Sequence, residues 1–456
     1  MHSFHSSFLR EYDARGIVGK TLSEKDAYFL GLAFGTLIIR NGGTSISVGR
    51  DGRHSSPTME ASLTKGLAET GLRVLKVGLG PTPMTYFSVY HCKTDGCIMV
   101  TGSHNPPEYN GFKMMLGEKT IYGEEIASLG ILAENSDFER GDGSIEDVDI
   151  KAIYIERILK DMPDINLAVG WDPANGSAGE VTQEVVKQLG GKHMVINGTI
   201  DGDFPDHPAD PTLEANLTSL RKLVKDNNLD LGIGFDGDGD RIGVIDRHGR
   251  IIWGDQLLSI LAADVLEHLP GSSIIADVKS SQAFFDEVTR LGGKPVMWKT
   301  GHSLVKAHMK EINAPLAGEM SGHVFFKHKY YGFDDAIYAA LRLLAIVAKS
   351  GGDIAKLRDK LPQMINTPEM RIECAEDKKF QIVKDIKIRL EANNARINDI
   401  DGVRVANDDG WWLVRASNTQ PALVARCEAS TETGLKKLMN DLNAQLKISG
   451  LEMGVE

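Results

Sequence analysis

Cysteine is scarce in this chain. Its four cysteines, Cys92, Cys97, Cys374 and Cys427, form no C-x-x-C pair. No disulfide framework is implied, and a reducing, cytoplasmic setting is expected. Long apolar runs are missing as well. No stretch approaches the roughly 18 residues that suggest a membrane-spanning helix, and Met1 to Arg10 carries no signal-peptide signature. Positive charge is in deficit: 51 Lys and Arg against 63 Asp and Glu leave a net charge of −12. This argues against non-specific binding to nucleic acid or to an acidic membrane. An anionic substrate would need local Arg and Lys instead. Low-complexity segments are absent, and no obligatory protein partner is evident.

What is present is an ordinary globular composition, 42% apolar and 25% charged, over a length that suits three or four domains. Three segments read alike. Ile46 to Asp51, Leu167 to Asp172 and Ile274 to Asp277 each look like an apolar strand. Each is followed by a helix with apolar residues four apart: Met59, Leu63, Leu67; Val181, Val185, Leu189; Phe284, Val288, Leu291. Glycine ends each helix, at Gly71, Gly190-Gly191 and Gly292-Gly293, and a second strand follows. Such alternation predicts βαβ units with largely parallel pairing. Each segment closes on a third strand: Cys97 to Val100, Leu231 to Phe235 and Ala314 to Ala317. Open α/β sheets bind ligands beyond the carboxyl ends of their strands, so three equivalent loops are expected to face one cleft. After Leu361 the pattern changes. Pro362 and Pro368 bracket a linker, and an α+β domain of short strands and two helices follows. The expected fold is α/β: three similar domains over 1–148, 149–250 and 251–362, and a C-terminal α+β domain over 363–456.

The loops carry the chemistry. After Val100 comes Thr101-Gly102-Ser103-His104-Asn105-Pro106-Pro107. Gly102 permits a sharp turn and the prolines forbid a long helix, so the Ser103 hydroxyl is presented on a tight loop. This is not the G-x-S-x-G hydrolase elbow. In Asp236-Gly237-Asp238-Gly239-Asp240-Arg241, three carboxylates alternate with residues that let the backbone curl. Together they would raise one another's pKa, a conflict that a hard cation such as Mg²⁺ removes. An EF-hand would need Gly at the sixth position and Glu at the twelfth, where Arg241 and Arg247 stand. Gly232, Gly234 and Gly237 match G-x-G-x-x-G, but a strand rather than a helix is expected next. The third loop, Gly318 to His323, offers Glu319, Ser321 and His323 to sugar hydroxyls. In the last domain, Arg415-Ala416-Ser417-Asn418-Thr419-Gln420-Pro421 supplies a guanidinium fork, hydroxyls and free N–H groups suited to a phosphate dianion. Tyr12 and Arg15 near the N-terminus and Lys113 beyond the serine loop add an aromatic and two cations. A nucleophile, a metal-binding trio, a phosphate-holding arginine and extra cations describe phosphoryl transfer, which is mostly positioning and charge stabilisation.

The four motifs T-G-S-H-N-P, D-G-D-G-D-R, G-E-M-S-G-H and R-A-S-N-T-Q-P, in this order, resemble the α-D-phosphohexomutase family, in its bacterial phosphomannomutase/phosphoglucomutase branch. The resemblance runs from about Tyr12 to Pro421. It implies four domains around a central cleft and a reversible transfer between C1 and C6 of a mannose or glucose phosphate. By resemblance, Ser103 carries the phosphoryl group and, with Asp236, Asp238 and Asp240, holds Mg²⁺. Arg15, His104 and Lys113 match residues that assist transfer, and Arg241, Lys279 and His302 match positions lining the cleft. Glu319 and Ser321 match the sugar-reading pair, and Arg415, Ser417, Asn418 and Thr419 the distal phosphate site. Tyr12 and His323 are counted with the substrate-binding residues. A hexose 1,6-bisphosphate is expected as intermediate and activator, with hexose phosphates as the small-molecule partners. Alternatives are a phosphoglucosamine mutase of the same family, against which Met320 and Asn418 argue, a Mg²⁺-dependent sugar phosphatase, and a non-catalytic sugar-phosphate-binding regulator.

Overall fold

Short strands, the first two of each unit handed on to a helix, build the first three units of this computed structural model, which describes residues 1–418 and 420–453. In the first unit Ser45–Arg50 pairs in parallel with Arg73–Leu79 on one side and with Gly96–Val100 on the other. Tyr109–Leu116 then returns antiparallel to Gly96–Val100. The second unit repeats this order: Leu167–Asp172 lies between Gly191–Val195 and Leu231–Phe235, with Ile242–Asp246 antiparallel beyond. The third repeats it again with Ser273–Asp277, Lys294–Trp298, Leu316–Gly318 and Val324–Phe326. The threefold repeat is therefore a repeat of strand order and direction, and the third strand of each unit carries its special loop. In the fourth unit Val403–Asn407, Gly410–Ala416 and Ala422–Ala429 form an antiparallel sheet. Lys379–Ala392 and Glu432–Ile448 pack against it.

Some boundaries shift for physical reasons. The second unit's helix ends at Val186, short of Leu189, and the next strand begins at Gly191 rather than Met194. Gly191, at φ +109°, turns the chain directly beside Leu167. The third unit's third strand is Leu316–Gly318, two residues later than expected, because Ala314 still hydrogen-bonds back to Met309 at the helix end. The expected linker is partly built into the last sheet. Ile365–Asn366 pairs with Glu428–Ala429, giving backbone groups partners that a free linker would leave to water.

The cores show how the units are joined. One apolar cluster runs through the second and third units and takes in Met84, Tyr86 and Phe87 of the first. The first unit has a further core of its own, as does the fourth. The fourth unit meets the third through a small cluster of Val278, Trp411 and Leu413 and through polar contacts. Among the described residues no helix is long and apolar enough to cross a membrane.

Helices Glu24–Arg40 and Ser56–Ala68 cross at reciprocal glycines. A Cβ on Gly31 would lie 2.3 Å from the Leu63 carbonyl oxygen, and one on Gly66 would lie 2.2 Å from that of Tyr28. Glycine inside a helix ordinarily costs about 1 kcal/mol relative to alanine. Here the sign reverses, because a methyl group forces two backbones apart. Gly66→Ala is expected to destabilise the protein by about 1–3 kcal/mol, read as a lower midpoint in urea unfolding. A raised midpoint would show that the helices separate freely.

Candidate active site

The three carboxyl-end loops meet. Ser103 sits where Gly96–Val100 ends, with φ +51°, a left-handed conformation uncommon outside glycine. Its N–H donates to Thr101 Oγ1 at 2.8 Å, which helps hold the turn. Its Oγ, nearly buried, lies 3.2 Å from Asp236 Oδ2 across the boundary with the second unit. His104 Nδ1 lies 3.2 Å from the same Oγ. Burial pushes the His104 imidazole well below its ordinary pKa, and Arg241, Arg15 and Lys113 push the same way, so the ring is neutral.

Asp236, Asp238 and Asp240 converge as their spacing predicts: they offer oxygens all within 4.8 Å of one another, and all three side chains are buried. Lys113 reaches in from Tyr109–Leu116 and donates to Asp238 Oδ2 at 2.6 Å and to Asp240 Oδ2. Burial opposes a charge on Lys113, but Asp238, Asp240 and Asp236 outweigh it and raise its pKa. Burial and the two neighbouring carboxylates push Asp236 well up. Asp238 is held low, because Lys113 and the Thr82 hydroxyl outweigh the effect of burial. Thr82, at the start of helix Thr82–Cys92, binds Asp238 through both its Oγ1 and its N–H. Asp238 Oδ1 and Asp240 Oδ1 are buried without a hydrogen-bond donor among the described residues. Two orphaned carboxylate oxygens beside a third carboxylate form a donor set that fits a hard divalent cation.

The third unit's loop closes on the second's. Arg241 and His323 form a β-bridge, and Arg241 Nε donates to His323 Nε2 at 3.0 Å. His323 Nδ1 lies 3.0 Å from Asp334 Oδ2. His302 stacks on His323 and is also kept neutral by burial, with Lys306 adding to the effect. Glu319 is buried and accepts from the Gly301 N–H at 2.6 Å. Burial pushes its carboxyl above the usual range. Ser321 stays half-buried beside it. Lys279 lies farther round the cleft, 2.9 Å from Glu369 Oε2 of the fourth unit.

In the fourth unit Arg415 Nε donates to Asp401 Oδ2 at 2.9 Å, and the Thr300 N–H meets the same oxygen at 3.0 Å. Ser417 Oγ accepts from the Gln420 N–H at 3.2 Å. Asn418 Nδ2 donates to the Tyr12 hydroxyl. Thr419 lies outside the described residues. Tyr12 and Arg15, near neighbours in sequence, part company. Tyr12 turns to the third and fourth units and donates to the Thr300 carbonyl at 2.8 Å. Arg15 turns to the serine loop, where it meets Asn105 Oδ1 at 3.0 Å and Asp13 Oδ2 at 2.5 Å.

Sequence reasoning missed four residues here. Arg53 and Asp51 brace the serine loop from behind, Asp334 holds His323, and Thr82 holds Asp238. The Arg50-Asp51-Gly52-Arg53 run and the Asp334-Asp335 pair ahead of an apolar helix are signals that a search for buried charge near strand ends would have found.

The phosphoglucomutase/phosphomannomutase family matches in four parts. Its alpha/beta/alpha domain I covers residues 7–132, domain II 150–249 and domain III 253–365, and its C-terminal domain covers 369–445. A phosphomannomutase/phosphoglucomutase of Pseudomonas aeruginosa is 43% identical over 97% of this chain and 96% of its own. A phosphoglucomutase of Neisseria gonorrhoeae is 42% identical over 98% of both. The crystal structure of a phosphoglucomutase/phosphomannomutase family protein from Burkholderia thailandensis superposes with a TM-score of 0.93. It is 40% identical, covering 99% of this chain and 100% of that one. With four domains in the same order, and relatives this similar along nearly its whole length, the chain belongs to the phosphoglucomutase/phosphomannomutase family.

Proposed function

We propose that this chain interconverts the 1- and 6-phosphates of glucose and mannose through a phosphorylated Ser103 and a hexose 1,6-bisphosphate. The observation that carries this reading is the approach of Ser103 Oγ to within 3.2 Å of Asp236, at the point where the loops of two units meet. In the first half-reaction the bond from phosphorus to Ser103 Oγ breaks and a bond to the free sugar hydroxyl forms. The hydroxyl gives up its proton and Oγ takes one up. The bisphosphate then turns, and its other phosphate returns to Ser103. Mg²⁺, which Asp236, Asp238, Asp240 and the phosphoserine would hold, supplies positive charge against the transferring group.

The chain's own groups do the rest. Lys113, its charge secured by its aspartates, adds a second cation beside Ser103. His104 stays neutral and hydrogen-bonds with Ser103 Oγ without adding a charge that would compete for the carboxylates. Arg15 fixes Asn105 within the serine loop. Glu319, with Ser321, faces the sugar hydroxyls, and a carboxyl raised by burial suits hydrogen bonding to them. Arg415, Ser417, Asn418 and Thr419 receive the phosphate that is not reacting, and Lys279, His302, His323, Arg241 and Tyr12 line the space between. The setting is the cytoplasm, with the bisphosphate as priming activator. A phosphatase using the same trio would release inorganic phosphate, and a regulator would bind without transfer. A coupled assay that follows both 6-phosphates from both 1-phosphates, with free phosphate measured alongside, separates the three.

Ser103→Ala should fold normally and lose activity by about 10³-fold or more, as loss of a covalent nucleophile does. Intact mass should show one phosphoryl group on the wild type after bisphosphate treatment and none on the variant. Retained activity would remove Ser103 from the chemistry. Chelation should stop turnover and Mg²⁺ restore it, and Asp238→Asn should weaken Mg²⁺ binding in calorimetry by at least about tenfold. Full turnover in excess chelator would rule the metal out. Arg415→Ala should raise KM for glucose 1-phosphate and glucose 6-phosphate by similar factors, since one distal site serves both orientations. An effect on one substrate alone would mean two separate sites.

A further inference from the structure

We propose that Arg53 is a positioning residue for the nucleophile: its buried guanidinium sets the backbone of the loop that presents Ser103. The proposal rests on the reading of Ser103 as the group that carries phosphate. An arginine has five N–H donors in one plane, and Arg53 uses every one. Nε meets Asp51 Oδ2 at 3.1 Å. Nη1 donates to the carbonyls of Pro106 at 2.5 Å and Tyr109 at 3.0 Å. Nη2 donates to those of Ser103 at 2.7 Å and Asn105 at 2.6 Å. Four carbonyls of one short loop thus converge on a single side chain whose exposure is 0%. Asp51 orients the fork from behind, accepting from the Arg53 N–H, the Ser56 hydroxyl and the Gly102 N–H. Phe204 of the second unit lies over the guanidinium, 5.0 Å from its ring centre, and keeps water from that face.

This arrangement does more than fill a core. Ser103 holds a left-handed backbone that persists only where its surroundings enforce it. Pro106 and Pro107 have no N–H, so the loop cannot brace itself through a regular ladder. Gly102 lets the guanidinium approach, since a Cβ there would lie 2.5 Å from Arg53 Cζ. Across a trans peptide the C=O and N–H point in opposite directions. Turning the Ser103 carbonyl to Arg53 therefore turns the His104 N–H the other way. That N–H has no protein acceptor among the described residues, which leaves it as a donor for a phosphoryl oxygen on Ser103. Arg53 also stands apart from the distal phosphate loop, so its loss should affect transfer and not substrate capture.

Arg53→Lys keeps the charge but cannot span four carbonyls. It should lower kcat for glucose 1-phosphate by about 100-fold, the scale of a misplaced reacting group. KM should stay within about threefold of wild type, the mark of a group acting on the transition state. Labelling of Ser103 by glucose 1,6-bisphosphate, followed by intact mass, should slow by the same factor as kcat. A variant with kcat within about threefold of wild type, or one in which kcat and KM worsen together, would overturn the proposal. If Arg53→Lys does not fold, Asp51→Asn provides the test. It loosens the fork and should lower kcat by about tenfold at constant KM, and an unchanged kcat would overturn the proposal equally. A wild type that neither takes label nor turns over would overturn the mutase reading itself. With the wild type active and labelled, the outcome bears on Arg53 alone.

Discussion

Three carboxylates can share a dry pocket only if positive charge shares it with them. That constraint governs the centre of this molecule. Asp236, Asp238 and Asp240 are all buried, and Lys113 from another unit is the cation placed among them. The lysine and the aspartates come from separate sheets, so the pairing also sets the two units in register. Thr82 reinforces that register with two hydrogen bonds to Asp238. Ser103 enters the same electrostatic field because its strand lies directly beside the strand that carries Lys113. Breaking a buried ion pair from one side costs about 3–5 kcal/mol in general. Domain packing and site chemistry here therefore draw on the same contacts.

The units divide along the same lines. Apolar packing runs unbroken through the second and third units into the first unit's helix Thr82–Cys92, which fixes the carboxyl-end loops relative to one another. The fourth unit is joined differently. Arg404 donates to the carbonyls of Val278 and Ser280, Arg426 donates to that of Lys279, and Lys279 meets Glu369. Interfaces of polar contacts around a small apolar patch resemble transient protein interfaces and permit relative motion. The firmly packed part of the molecule thus carries Ser103 and the carboxylates, and the less firmly packed part carries the loop that begins at Arg415. That division suits the proposed intermediate, which must present each of its ends to Ser103 in turn.

Much of this was legible in the sequence, and the reason is periodicity. Met59, Leu63 and Leu67 announce a helix face, and short apolar strands ending at glycine-rich loops announce where ligands go, so the threefold repeat and the four loops could be read directly. Alternating Asp and Gly announced the convergence of the trio. Partners distant in sequence left no such trace. Nothing in the local sequence says that Lys113 would reach Asp238 and Asp240, or that Tyr12 would leave Arg15 to join Asn418. Arg53 was hidden for a related reason. Its partners are backbone carbonyls, which every residue has, so no pattern of side chains marks it. The linker was misjudged because two prolines read as a break, whereas the residues between them add an edge strand to the last sheet.

Tyr12 shows how the separate loops become one enclosure. Its phenol is mostly buried, and burial holds its pKa above the usual value, so it keeps its proton. A protonated phenol has one hydrogen to give and lone pairs to receive. Tyr12 gives its hydrogen to the Thr300 carbonyl in the third unit and receives one from Asn418 in the fourth. It is itself part of the first unit, three residues before the arginine that fixes Asn105 in the serine loop. Arg241 and His323 join the second unit to the third, and Ser103 and Asp236 join the first to the second. These contacts form a closed circuit through all four units around the cleft. Lifting the fourth unit away removes the Asn418 donor from a buried oxygen, an energetically uphill step unless water or ligand replaces it. The fourth unit is therefore held to the first by a hydrogen bond that opening must break, and Asn418, which supplies it, follows Arg415 and Ser417 in the same run of sequence.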